Sequence, residues 1–155
     1  MKLKLGVGAL VMMILLMNCE TTKLSTLRDQ DAVAESAFIY QMDHHPLKKY
    51  QQTYFLNVEN NRDPDEGLIV RLRERKYPVK AASQSEMLNG LIQDKESKVV
   101  GILISIRNRT CISSEGCAVE ARVYEDTDNI EGWRYDVTRE NNVWVVKKAE
   151  LISIT

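Results

Sequence analysis

The chain has 155 residues, 44% of them hydrophobic and 28% charged, with a formal net charge of −1. That length suits a single domain with a core of its own, and the balance of apolar and charged residues excludes an intrinsically disordered chain. Near-neutrality lays down no basic footprint, so no nucleic-acid partner is expected.

In chain order, the first feature is a targeting segment. Lys2 and Lys4 precede an apolar run over residues 5–17, which Asn18 and Cys19 close. The run is shorter than the roughly 20 residues that a membrane-spanning helix needs, and it has the length of a signal h-region. Leu16-Met17-Asn18-Cys19 resembles the lipobox of bacterial lipoproteins, with Asn18 standing where Gly, Ala or Ser is usual. The resemblance implies removal of residues 1–18 as a signal peptide. It also implies acylation of the Cys19 sulfur and amine, and anchorage of the mature chain to a membrane of the cell envelope. Two or three acyl chains hold far more firmly than one. Glu20 does not resemble the common inner-membrane retention signal, which points to the outer membrane rather than the inner. Residues 19–28 are polar and aperiodic and read as a tether, leaving residues 29–155 as one α+β domain.

Within that domain, residues 31–44 show the helical period: Val33, Ala34, Ala37, Phe38 and Met42 share one face, while Glu35 and Gln41 are expected in water. Pro46 ends the helix. Residues 53–58 read as a strand, and Asn60-Asn61 as a turn. Asp63-Pro64-Asp65-Glu66 reads as a helix start, with Asp63 as the cap and Leu68, Ile69 and Leu72 on the apolar side. Residues 77–82 suggest a short second strand, and residues 83–98 read as a loop. From Val99 the period becomes two: Val100, Ile102, Ile104 and Ile106, then Cys117, Val119, Ala121 and Val123, then Trp133, Tyr135 and Val137. Trp144, Val146, Leu151, Ile152 and Ile154 continue it. The expected architecture is therefore an antiparallel four-stranded meander with one or two N-terminal helices packed on its buried face.

With Cys19 assigned to lipid, Cys111 and Cys117 remain. An even pair in an oxidising compartment, flanking a hairpin loop, suggests a disulfide. Asp43-His44-His45 is the only local cluster of metal-capable side chains, but adjacent residues on a helix point about 100° apart and rarely share a metal. The simpler reading is a histidine pair favoured by the helix dipole. No metal or cofactor is expected. Arg71, Arg73, Arg75 and Lys76 make a basic helix end; Arg71 and Arg75 share a face that an anchored domain could offer to anionic headgroups or an acidic partner. Trp133, Tyr135 and Trp144 either fill the core or line a concave sheet. Arg71, Arg75, Trp133 and Tyr135 thus mark an interaction face. Residues 126–131 lack the ligand spacing of a calcium loop and read as a turn. No G-x-S-x-G, S-x-x-K, H-E-x-x-H or glycine-rich phosphate loop occurs.

Phe55-Leu56-x-Val58, Asp63-Pro64 with Leu68 and Leu72, and Pro78-Val79-Lys80 with Ser83 form an ordered set. It continues through Gly101-Ile102-Leu103, Ile112-Ser113, Gly132-x-x-Tyr135-x-Val137, Trp144-x-Val146 and Ile152-Ser153. The set resembles a group of small uncharacterised bacterial secreted proteins, which often carry an aromatic where this chain has Cys111. The resemblance implies an α+β domain and no activity. A looser similarity of layout, a helix on a curved sheet, is to cystatin-like and NTF2-like domains, and fold alone implies no function.

The functional expectation is a lipid-anchored, non-enzymatic binding or interaction module facing an envelope protein. The alternatives are a small-ligand carrier with a cavity between helix and sheet, an inhibitor of a periplasmic or host hydrolase, and a hydrolase using His44 or His45.

Overall fold

A computed structural model describes residues 31–59 and 61–155. The expected signal peptide, the acylated Cys19 and the tether lie outside the described residues. Residues 32–155 form a compact unit.

The described residues are mostly strand, and the expected four-stranded antiparallel meander is not the fold. Eight strands form one mixed sheet: β1 (Thr53–Asn57), β2 (Val79–Ala81), β3 (Ser85–Leu88), β4 (Leu91–Asp94), β5 (Gly101–Ser113), β6 (Gly116–Asp126), β7 (Asn129–Glu140) and β8 (Val143–Ile154). From β5 to β8 each strand pairs antiparallel with the next. On the far side of β5 the direction changes. β1 lies parallel to β5, with Tyr54 opposite Ile102, and β2 lies parallel to β1. Alternation tells which face each of these residues takes, but not which strand lies beside it.

Residues 83–98, read as a loop, instead hold a 3₁₀ turn (Ala82–Gln84) and the β3–β4 hairpin. Its turn is Asn89-Gly90, both at positive φ (52° and 80°). Asparagine and glycine tolerate that conformation, and their pair is the preferred two-residue turn for the twist of a hairpin. The hairpin joins the sheet at Leu91, opposite Asp126, and Asp94 fixes it there. Asp94 accepts from Lys80 Nζ at 2.7 Å and from the Ser97 backbone and hydroxyl, each at 2.8 Å. The Lys80 ammonium first, and then Ser97, hold its carboxyl well below the usual carboxylate range. A depressed carboxylate contributes stability above its unfolded pKa of roughly 4 and loses that contribution as pH falls through its folded value. Asp94→Asn is therefore expected to lower the melting temperature at pH 7 and to flatten its decline below about pH 4. Thermal melts of both proteins across that range check this; parallel acid limbs would contradict it.

Among the described residues, two helices flank the sheet. α1 covers residues 31–44, and α2 is Glu66–Glu74. Val33, Ala34, Ala37, Phe38 and Met42 of α1 are buried against Tyr54, Leu56, Ile102, Ile104, Val119 and Val137, and α2 adds Leu68, Ile69 and Leu72. Gln41, expected in water, is buried. It stands three and four positions from Phe38 and Ala37 and so shares their face. Glu35 is held by Arg71 at 2.8 Å and Arg75 at 3.8 Å. The α2 cap is Asp65, whose Oδ1 accepts from Gly67 N at 2.7 Å. Asp63, the expected cap, instead accepts from Ser83 N at 2.9 Å and ties the 3₁₀ turn down.

Cys111 and Cys117 stand opposite each other in register at the distal end of β5 and β6 and are joined as a disulfide.

Candidate functional site

Two places concentrate chemistry, and α1 contributes to both. The first is a closed network between the C-terminal half of α1 and β7. The Tyr135 hydroxyl donates to Gln41 Oε1. The Gln41 amide nitrogen can only donate, so His45 Nδ1, 2.7 Å away, accepts. The ring proton then lies on Nε2, which meets Glu131 Oε2 at 3.0 Å. The Trp133 indole N–H donates to the same oxygen at 2.8 Å. Trp133 and Tyr135 stack with centroids 6.4 Å apart. Burial pushes the Tyr135 hydroxyl far above the usual phenol range.

In this network the Tyr135 hydroxyl, the His45 Nε2–H and the Trp133 indole N–H each meet a neighbouring acceptor, and Tyr135 is fully buried. It locks α1 onto the sheet. Tyr135→Phe removes the donor to a buried amide oxygen and is expected to cost about 1–3 kcal/mol. Urea unfolding with an unchanged m-value checks it; a loss below about 0.5 kcal/mol would contradict it.

The second place is an open groove of about 370 Å³ between the solvent side of α1 and the first residues of β8. Ile39, Tyr40, Val143 and Val145 supply apolar walls, and Asp43, His44 and Arg75 stand around it. His44 stacks on Tyr40 at 3.9 Å, with Nδ1 2.7 Å from the Tyr40 carbonyl. Asp43 accepts from the Tyr77 hydroxyl at 2.6 Å. Burial first, and then that carboxylate, push the Tyr77 hydroxyl up to about 12. Ser36 also lines the groove, but it spends its hydroxyl on the Val33 carbonyl at 2.8 Å. It lies two turns, about 12 Å, from His44 along the helix, too far for a nucleophile and its base.

The groove runs into the edge of the sheet. Among the described residues β8 pairs with β7 only. Val143, Val145, Leu151, Ile152 and Ile154 are exposed along it, Val143 to 62% and Ile154 to 68%. Leu151, Ile152 and Ile154, expected as a continuation of the core pattern, thus face water. Two irregularities in the β7–β8 register leave Lys147 and Ile152 without partners on β7. Both bulge, and the stretch between them is regular.

The residues expected to share an interaction face fall into two pairs. Arg71 and Arg75 both reach Glu35, with Arg75 beside the groove. Trp133 and Tyr135 belong to the closed network, Tyr135 wholly interior. His44 ends α1 and His45 follows it, and the two turn to different partners. No group of three or more His, Cys, Asp or Glu side chains placed to hold a metal occurs among the described residues. The β8 edge escapes the sequence because a strand with apolar residues at alternate positions reads the same at a sheet's centre and at its rim.

No family model, curated protein or solved structure matches the chain.

Proposed function

We propose that this chain is a lipid-anchored cell-envelope protein whose domain is a non-enzymatic interaction module, docking through the α1–β8 groove and the β8 edge beside it. The observation that carries this reading is the run of exposed large apolar side chains on a single strand lacking an outer neighbour among the described residues. A long apolar edge is a template for further strand pairing. Exposed apolar surface continuous with a groove marks a binding site more often than an inert surface. The groove is not an enclosed cavity, which suits inserted side chains better than a sequestered small ligand. The anchor rests on the Lys2-to-Cys19 pattern, and it would keep the domain beside a bilayer.

Placing a photocrosslinking residue at Val145 of the full chain in its native membrane tests the docking surface. A discrete adduct is expected, and its absence would remove the reading. Cys19→Ala tests the anchor separately: unprocessed or soluble chain is expected, and unchanged membrane fractionation would contradict it.

A further inference from the structure

We infer that the occupant of the β8 edge is a second copy of this chain, paired β8 to β8 about a two-fold axis at Ala149. The inference rests on the docking reading above and names its partner.

On the solvent face of the sheet, a row of polar side chains crosses the strands in register. Asn108 on β5 stands opposite Glu120 on β6, Glu120 opposite Arg134 on β7, and Arg134 opposite Glu150 on β8. Asn108 Nδ2 donates to Glu120 at 2.8 Å, and Arg134 meets Glu120 at 3.0 Å. Asn108 first and then Arg134 hold the Glu120 carboxyl below its ordinary range. The row ends at the rim on Glu150. A second row starts at the rim with Lys148, opposite Asp136 on β7. Lys148 and Glu150 lie on the same face, two positions apart, their side chains 3.4 Å from each other.

Antiparallel pairing of β8 with its own copy obeys a parity rule. A two-fold axis normal to the sheet keeps the same face up in both strands. Directly opposed residues must share a face, so a residue opposes itself or one an even number of positions away. An axis at Lys148 sets lysine against lysine, and an axis at Glu150 sets glutamate against glutamate; like charges directly opposed are destabilising. An axis at Ala149 sets Lys148 against Glu150 of the second copy, and Glu150 against its Lys148. The polar row then continues across the junction with alternating sign, from Glu120 and Arg134 through Glu150 to Lys148 and Asp136 of the second copy.

The same register brings the apolar end at Ile152 and Ile154 alongside Val143 to Val146 of the other copy, where the groove under α1 is open. Both ends of the exposed edge are covered by one symmetric contact. The bulges at Lys147 and Ile152 lie on either side of the central stretch and leave Lys148 to Leu151 regular.

Two differently tagged full-length chains, coexpressed and extracted in detergent, test this. Wild type is expected to capture wild type. Lys148→Glu sets glutamate against glutamate twice, and Glu150→Lys sets lysine against lysine twice. Each is expected to lose self-capture by about tenfold or more. Lys148→Glu mixed with Glu150→Lys restores both opposite pairs, so this mixture is expected to recover capture. Both side chains are exposed, and recovery in the mixture shows that each variant is folded. Failure of wild-type self-capture, or undiminished self-capture by the single variants, would overturn the proposal. A Val145 adduct of a mass other than the dimer's, without self-capture, would also overturn the second copy while leaving the docking surface in place. The absence of any adduct would remove both.

Discussion

Phe38→Ala is expected to cost about 3–5 kcal/mol, the range for deleting a fully buried aromatic side chain. Phe38 is wholly buried in the cluster that joins α1 to β1, β5 and β6. The loss combines the transfer free energy of the ring with a cavity that a helix fixed at its far end cannot collapse. That fixing comes from Tyr54, whose hydroxyl donates to the His45 carbonyl at 2.7 Å, and from the network running from Gln41 to Glu131. Small domains are stable by about 5–15 kcal/mol, so a large part of the total is at stake. A drop in melting temperature of roughly 10–20 °C is expected, measurable by circular dichroism. Phe38→Leu should restore most of it. A loss under about 1 kcal/mol from the alanine variant would mean that α1 does not share the core of the sheet.

Gly101→Ala is expected to cost about 3 kcal/mol by overpacking, although it adds one methyl group. Gly101 stands opposite Thr53 where β5 runs parallel to β1. A Cβ there would collide with the Thr53 carbonyl oxygen and would lie 2.8 Å from Phe55 Cε2. The carbonyl is backbone within a pair of strands and cannot swing aside. Phe55 is fully buried, so its ring has nowhere to retreat. Phe55→Leu in the same chain clears the ring but not the carbonyl, and should rescue the loss only in part. Denaturant unfolding of the single and double variants separates the two contacts. A neutral Gly101→Ala would contradict the parallel register of β1 on β5.

These two sites also show how far the sequence can be read. Phe38 is legible: residues 31–44 repeat apolar side chains at helical spacing, and the helix stands there. Gln41 is not, because its polarity argues for water while its position on the buried face argues for the core. Its partner Tyr135 lies 94 positions away, and no local pattern announces that bond. The strands after Val99 are legible by alternation, since each pairs with its successor through a short turn. The parallel placement of β1 between β2 and β5 is not, because non-local pairing leaves no trace in either strand alone. The β3–β4 hairpin does carry a local signal, Asn89-Gly90, which the polar run after Gln93 obscures. Cys111 and Cys117 are legible because a hairpin loop between them sets them across from each other. The groove and the exposed rim of β8 stay hidden because Val143 to Ile154 has the apolar content of a core strand, and only the order of strands makes it an edge.

The most direct test of that edge is Ala149→Cys in the full-length chain, oxidised mildly in its native membrane. Residues directly opposed in an antiparallel pair have Cα atoms roughly 4.5–5.5 Å apart, within reach of a disulfide. The expected result is rapid conversion to a covalent dimer, slowed when Lys148→Glu is added to the same chain. An introduced thiol that stays free under those conditions, with the chain folded, would contradict the pairing of β8 with a second copy.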